Sequence, residues 1–160
     1  MAWSLLGFNL LMGEALYKIT PFVLELPAWP LSGLDWATLT GWTAFMAYSE
    51  GYRGFQKQFS PRFAARTRWL LEHADWPQTL LAPLFCMGFF GTTRKRKAVA
   101  YGLTAGIVLL VILIRLLPQP WRGIVDAGVL IGLLWGLVSV LIFSWLALFR
   151  NQVTIDPEVV

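Results

Sequence analysis

The stretch that decides the fold is AVAYGLTAGIVLLVILIRLL, residues 98–117. Its twenty residues include one charged side chain, Arg115, close to the end. At a rise of about 1.5 Å per residue, a helix of this length matches a hydrocarbon core of about 30 Å. Residues 127–149 form a second apolar stretch without any charge, and PQPWRG at 118–123 is typical of a short turn. The sequence therefore predicts a membrane-crossing helical hairpin over residues 98–150.

The composition supports a membrane environment for the whole chain. Of its 160 residues, 57% are hydrophobic and 14% are charged, whereas a soluble domain has roughly 25% charged residues. The mean hydropathy is +0.60 and the formal net charge is +4. The basic residues flank apolar segments in two clusters, 53–68 and 94–97, as the positive-inside rule describes. We therefore expect a multi-pass protein of the bacterial cytoplasmic (inner) membrane and no nucleic-acid partner.

The N-terminal half predicts a less regular hairpin over residues 1–50. Residues 3–26 are long enough to cross the membrane but contain two charges in mid-segment and a proline, so we expect a first helix with a kink. A turn rich in proline and tryptophan follows. Ser32 or Asp35 can then cap a second helix that runs from about residue 36 to residue 49. Because this is short for a span, we expect the helix to continue past Glu50 and Gly51 into the headgroup region.

The middle of the chain, residues 51–97, is more polar. Ser60-Pro61 is typical of an N-cap followed by proline at the first helical position, and predicts a basic amphipathic helix on the membrane surface. Residues 78–91 are apolar but too few for a span, which favours a re-entrant segment. We therefore expect an all-α polytopic integral membrane protein with about four transmembrane helices, this interfacial helix and the re-entrant segment; the alternative has five spans. Residues 151–160 form a short C-terminal tail.

Glycines recur at four-residue spacing in both predicted C-terminal helices. Gly128, Gly132 and Gly136 share one face of the last helix, and Gly102 and Gly106 share one face of the helix before it. Small residues one turn apart allow helix backbones to approach closely in lipid. We expect these faces to pack the last two helices against each other. Association with a second copy or with a partner subunit is the alternative.

Glu14 and Lys18 are an acid and a base four residues apart in the first predicted span. The acid lies on the N-terminal side, which is the favourable order for an ion pair on one helix face. Ionisable side chains at membrane depth are costly and are therefore candidates for function. Three interpretations stay open: a structural pair that faces the bundle, a group that contacts a transported proton or substrate, and a pair placed at the membrane interface.

The densest polar stretch adjoins the second predicted span, EGYRGFQK at 50–57. Its basic side chains can bind a phosphate group, and its two glycines allow a backbone to approach a ligand. We therefore predict a pocket for an anionic lipid headgroup or another anion. The candidate residues are Glu50, Tyr52, Arg53, Gln56, Lys57, Arg62 and Arg66. The alternative is a solvated helix end that satisfies the positive-inside rule.

Few side chains are available for chemistry. The chain has one cysteine, Cys86, and one histidine, His73. One cysteine excludes an internal disulfide and a multi-cysteine zinc site, and one histidine excludes bis-histidine haem ligation within the chain. We predict no catalytic residues, no metal site and no cofactor.

Three functions stay open. The first is a non-enzymatic accessory, assembly or lipid-interacting subunit, which binds anionic lipid headgroups and associates with a membrane-protein partner or with a second copy. The second is a small transporter or channel that uses Glu14 and Lys18. The third is a membrane-embedded enzyme that acts on a lipid-like substrate at the inner interface.

Overall fold

The computed structural model describes residues 2–73 and 76–149, and every regular element in these ranges is a helix. The all-α prediction is therefore confirmed for this part of the chain. The predicted tail, residues 151–160, and Arg150 lie outside the described residues. The elements are α1 (Ala2–Leu24), a 3-10 turn (Leu26–Ala28), α2 (Gly33–Met46), a π-helix (Ala47–Phe59), α3 (Ser60–Glu72), α4 (Trp76–Leu80), α5 (Ala82–Cys86), α6 (Arg94–Arg115) and α7 (Trp121–Phe149).

The start of α2 follows from a local sequence signal. Ser32 and Asp35 form a capping box. The Ser32 hydroxyl accepts a hydrogen bond from the Asp35 N–H at 3.2 Å, and the Ser32 N–H donates to Asp35 Oδ2 at 2.8 Å. Both predicted capping residues thus act together, and they satisfy backbone donors that the first turn of a helix leaves unpaired.

The helix that begins at Gly33 continues past Glu50 and Gly51, as the sequence predicted, and it runs on through the π-helix into α3. The π-helix has thirteen residues and is called the π segment below. Ser60 is not an N-cap: its backbone is helical, its N–H donates to the Phe55 carbonyl, and its hydroxyl has no hydrogen-bond partner. Pro61 has no N–H, and its ring crowds the carbonyl four residues earlier. The wider turns of the π segment, which directly precede Pro61, accommodate this crowding.

The π segment changes which side chains share a helix face. Its hydrogen bonds join residues five apart, so Glu50 and Phe55 lie in one row, and both meet α7. An α-helix, with 3.6 residues per turn, would rotate these two side chains well away from each other. Arg53 and Lys57 are exposed on the same segment.

α7 is the central helix of the bundle and packs against α1, α2, the π segment and α3. It runs in the same direction as α2 and α3. Near one end Trp42 Nε1 donates to the Val125 carbonyl at 3.1 Å, and near the other Arg68 Nη1 donates to the Ala147 carbonyl at 3.5 Å. The last turn of α1 meets the start of α7 at Gly123, which shows that α1 runs in the opposite direction.

The segment predicted to re-enter the membrane contains two short helices, α4 and α5, of five residues each. At about 1.5 Å per residue neither can cross a membrane, so this segment gives no support to the five-span alternative. α5 packs on α1 and α3, and its Phe85 and Cys86 join Phe8 and Phe63 in the main apolar core.

α3 is a packed helix of the bundle, rather than the peripheral amphipathic helix that the sequence predicted. The helix packs against both α5 and α7, and eight of its thirteen residues are buried. Its small residues Ala64 and Ala65 are among them, and small side chains allow neighbouring helices to approach closely. The basic residues of α3 made it resemble a surface helix, but Arg66 is itself buried at 4% exposure.

α6 stands apart from the bundle. Six per cent of its most apolar window is buried, against 28% for α7, and its buried residue is Ile114, close to the turn into α7. The expected packing of the last two helices against each other is therefore wrong. Within the described ranges, α6 and α7 are the two helices long and apolar enough to cross a membrane, which is consistent with a membrane protein.

Candidate functional site

The predicted anion pocket is divided between different surfaces. Arg53 and Lys57 are exposed, whereas Glu50 packs on α7. Gln56 also faces α7, where its Oε1 accepts a hydrogen bond from Trp135 Nε1 at 2.8 Å. These candidates therefore do not line one cavity.

The remaining candidates make contacts within their own part of the chain. Tyr52 stacks on Tyr48 with ring centroids 5.9 Å apart, and Lys57 Nζ lies 4.6 Å from the Tyr52 ring centroid. Arg62 Nη1 donates to the Gln58 carbonyl at 3.1 Å. These contacts hold the Tyr52, Lys57 and Arg62 side chains against the surface of their own helical stretch.

The buried Arg66 side chain is held by contacts with Phe85. Its Nη1 donates to the Phe85 carbonyl at 2.9 Å, and its guanidinium carbon lies 5.5 Å from the centroid of the Phe85 ring. The guanidinium thus connects α3 to the C-terminal part of α5, where backbone carbonyls need partners. This contact explains why a basic side chain can be buried in the core.

The contacts of α7 also show which part of that helix the π segment lies beside. Phe55 packs on Gly136, and Gln56 is bonded to Trp135. Both α7 residues lie inside the uncharged stretch 127–149. The π segment, which carries the first basic residues of the 53–68 cluster, therefore runs beside the uncharged stretch of α7.

The glycines of α7 form its contact face with α2 and the π segment. A Cβ atom on Gly132 would lie 2.7 Å from Glu50 Oε2, and one on Gly136 would lie 2.6 Å from Phe55 Cγ. At Gly128 a Cβ atom would collide with the Trp42 ring. Each glycine thus accommodates one large side chain of the neighbouring helix, and this is the close approach that small residues permit.

The glycines of α6 have no such neighbours. A Cβ atom on Gly102 or on Gly106 would meet no atom within 4 Å. Their surroundings on the same helix are apolar and include Val99, Leu103 and Ile107. The same four-residue spacing is therefore used for packing in α7 and left open in α6.

Glu14 and Lys18 form the predicted ion pair, with Lys18 Nζ 2.7 Å from Glu14 Oε1. The pair does not face the interior of the bundle, because the two side chains are 66% and 63% exposed, respectively. Within this chain the pair lies on an outer face of α1, away from the central packing.

A polar cluster at the turn end of the bundle was not predicted. Arg122 Nε lies 3.8 Å from Asp126 Oδ2, and the guanidinium carbon lies 3.4 Å from the centroid of the Phe22 ring. Gln119 Nε2 donates to the Phe22 carbonyl at 3.2 Å and lies 3.4 Å from Glu25 Oε2. The only sequence signal was the four-residue spacing of Arg122 and Asp126, which favours an ion pair. The cluster ties the start of α7 to the end of α1.

The single thiol has no arrangement for nucleophilic chemistry. Burial raises the pKa of the Cys86 thiol, and the Thr67 hydroxyl lies 3.5 Å from its sulfur. A reactive cysteine needs the opposite, an exposed thiol with a lowered pKa. Among the described residues, no group of three or more His, Cys, Asp and Glu side chains is placed to hold a metal ion.

Comparison of this chain with known protein families, with curated proteins and with solved structures found no match.

Proposed function

We propose that the chain is a non-enzymatic subunit of a larger membrane assembly, and that α6 is the helix through which it binds its partner. The observation that carries this proposal is the isolation of α6. It has 22 residues, is apolar enough to cross a membrane and is almost entirely uncovered by its own chain. Its open glycines offer another helix the close approach that the α7 glycines offer to α2 and the π segment.

A second observation supports a partner in the membrane. Arg53 and Lys57 are exposed beside the uncharged stretch of α7. A charged side chain at the centre of a membrane helix costs about 2.5–3.5 kcal/mol on insertion scales. Polar or acidic side chains of a partner would remove much of this cost, because intramembrane charges are normally paired or face a protein interior.

The charge at the start of α6 favours a different polypeptide over a second copy. Arg94, Lys95, Arg96 and Lys97 precede the apolar part of the helix. A parallel symmetric pair of α6 helices would bring two such clusters together, and like charges across an interface oppose association. A partner helix with small apolar residues along its length and acidic residues at this end fits better. Anionic lipid headgroups can neutralise whatever part of the cluster the partner leaves uncovered.

We propose a topology of four crossings, in a bacterial cytoplasmic (inner) membrane, and the relative directions of the helices are consistent with the four crossings. α1 runs opposite to α7, and α2 with the π segment runs parallel to α7. α6 precedes α7 across a short turn. Four alternating crossings by α1, α2 with the π segment, α6 and α7 would put the start of α1 and the end of α7 on one side.

The transporter and enzyme alternatives have less support from the geometry. A transport role for Glu14 and Lys18 needs them to face a shared pathway, and they lie on the outside of α1. An enzyme at the inner interface needs Glu50 and Arg53 to converge with His73, but Glu50 packs on α7 while Arg53 is exposed.

Site-specific photo-crosslinking in native membranes tests the proposal. A photoreactive residue at position 106 is expected to crosslink to another polypeptide, whereas the same residue at the buried position 124 is expected to crosslink only within the chain. Crosslinks from position 106 that reach only lipid, or only a second copy of the chain, would contradict the proposal.

A further inference from the structure

Glu50 has an unusual position for a carboxylate. Its Oε2 atom is closed off from solvent and has no hydrogen-bond partner. It lies directly over Gly132, so closely that a Cβ atom there would be 2.7 Å away. The π segment creates this arrangement, because the five-residue repeat directs both Glu50 and Phe55 at α7.

The ionisable side chains of α7 and of the π segment do not neutralise a negative charge on Glu50. α7 presents the stretch 127–149, which contains no charged residue, and the nearest ionisable side chain on that helix is the acid Asp126. On its own segment, Arg53 and Lys57 are exposed. Glu50 is half-buried, and its enclosed Oε2 atom has no hydrogen-bond partner. Burial of a charge without a hydrogen bond or a counter-charge is costly, and such groups usually become neutral instead.

We propose that Glu50 is a proton-binding site, whose carboxyl group is protonated in the folded chain at neutral pH. Mg²⁺ and Ca²⁺ are not the ligand, because they take six or more oxygen ligands. The facing stretch of α7 has only two side-chain oxygens, those of Ser139 and Ser144. Helical backbone carbonyls on both sides are used within their own helices.

The site couples proton binding to helix packing. Loss of the proton places a negative charge between the π segment and α7, next to an oxygen that is closed off from solvent and packed on Gly132. Ionisation therefore favours a state in which the two helices separate, and separation favours ionisation, since each equilibrium biases the other. This property is independent of whether α6 binds a partner.

Infrared spectroscopy of the full chain in lipid bilayers tests the proposal. The carbonyl stretch of a protonated carboxyl group is separate from the bands of carboxylates. We expect this band at neutral pH, and we expect Glu50→Gln to remove it, because the amide has nearly the same shape as the neutral acid. The matched control is Glu72→Gln. Glu72 is exposed and pairs with Arg68 at 3.2 Å, so this variant should leave the band unchanged. A missing band, or a band that survives in Glu50→Gln, would overturn the proposal.

Chemical labelling gives a second result that needs no variant. Dicyclohexylcarbodiimide is an apolar reagent whose C=N bond adds the O–H of a carboxylic acid. In the wild-type chain at neutral pH, the peptide that contains Glu50 is expected to carry the adduct and the peptide that contains Glu72 is not. Equal labelling of the two peptides, or labelling of Glu72 alone, would contradict a protonated Glu50.

Discussion

Gly136→Ala should destabilise the isolated chain, whereas Gly102→Ala should not. The new Cβ atom at position 136 would lie 2.6 Å from Phe55 Cγ and 2.7 Å from both Cδ atoms of that ring. The ring cannot easily move aside, because Phe59 packs against it with centroids 5.5 Å apart. The new methyl group at position 102 meets no atom within 4 Å.

The difference between the two variants isolates the steric cost. Alanine favours a helix over glycine by about 1 kcal/mol, and this gain applies to both positions. Overpacking a well-filled contact costs about 1–3 kcal/mol and applies only to Gly136. We therefore expect the unfolding free energies to differ by about 1–3 kcal/mol, which is roughly 5- to 150-fold in the equilibrium constant.

Reversible unfolding of the purified chain by sodium dodecyl sulfate in mixed micelles, followed by tryptophan fluorescence, measures this difference. A Phe55→Ala background serves as the control, because removal of the ring removes the collision and should abolish the excess cost of Gly136→Ala. Equal stability of Gly136→Ala and Gly102→Ala would refute the packing of α7 on the π segment.

Two further predictions concern groups outside that contact. Because burial raises the pKa of the Cys86 thiol and the thiolate is the reactive form, alkylation by N-ethylmaleimide should be slow in the native chain and accelerate with rising pH. Equal rates in native and denatured chain would contradict this. Arg122→Ala should lower the unfolding free energy by roughly 3 kcal/mol, because it leaves the buried Asp126 carboxylate without its cation. The double change Arg122→Ala with Asp126→Asn should cost less, and an equal or larger cost would be evidence against the pairing.

The sequence predicted the elements whose signals are local. The uncharged stretch 127–149 becomes the body of α7, and Ser32 with Asp35 caps α2. Both signals depend on residues a few positions apart, and length, hydropathy and capping chemistry are sufficient to interpret them. The ion pair of Glu14 and Lys18 belongs to the same class, and it forms as its spacing indicated.

The sequence did not predict which helix faces meet. The glycines of α6 and α7 have the same spacing, and only the large side chains of a neighbour, such as Trp42 and Phe55, show which set is filled. The π segment was missed for a different reason. A periodicity of 3.6 residues assigns Glu50 and Phe55 to different faces, so the five-residue row that brings Glu50 over Gly132 cannot be recognised with that period. This error also placed Glu50 in the predicted anion pocket.

Native mass spectrometry of the chain, extracted gently at its natural abundance, tests whether α6 binds another polypeptide. We expect a discrete complex with a different polypeptide, which is lost when Gly102 and Gly106 are both replaced by leucine. Gly41→Leu is the matched control, because Gly41 also has open space around it but lies in α2, and this variant should keep the complex. A chain that is recovered alone, or a complex that survives the double replacement in α6, would show that α6 is not the helix through which the chain binds a partner.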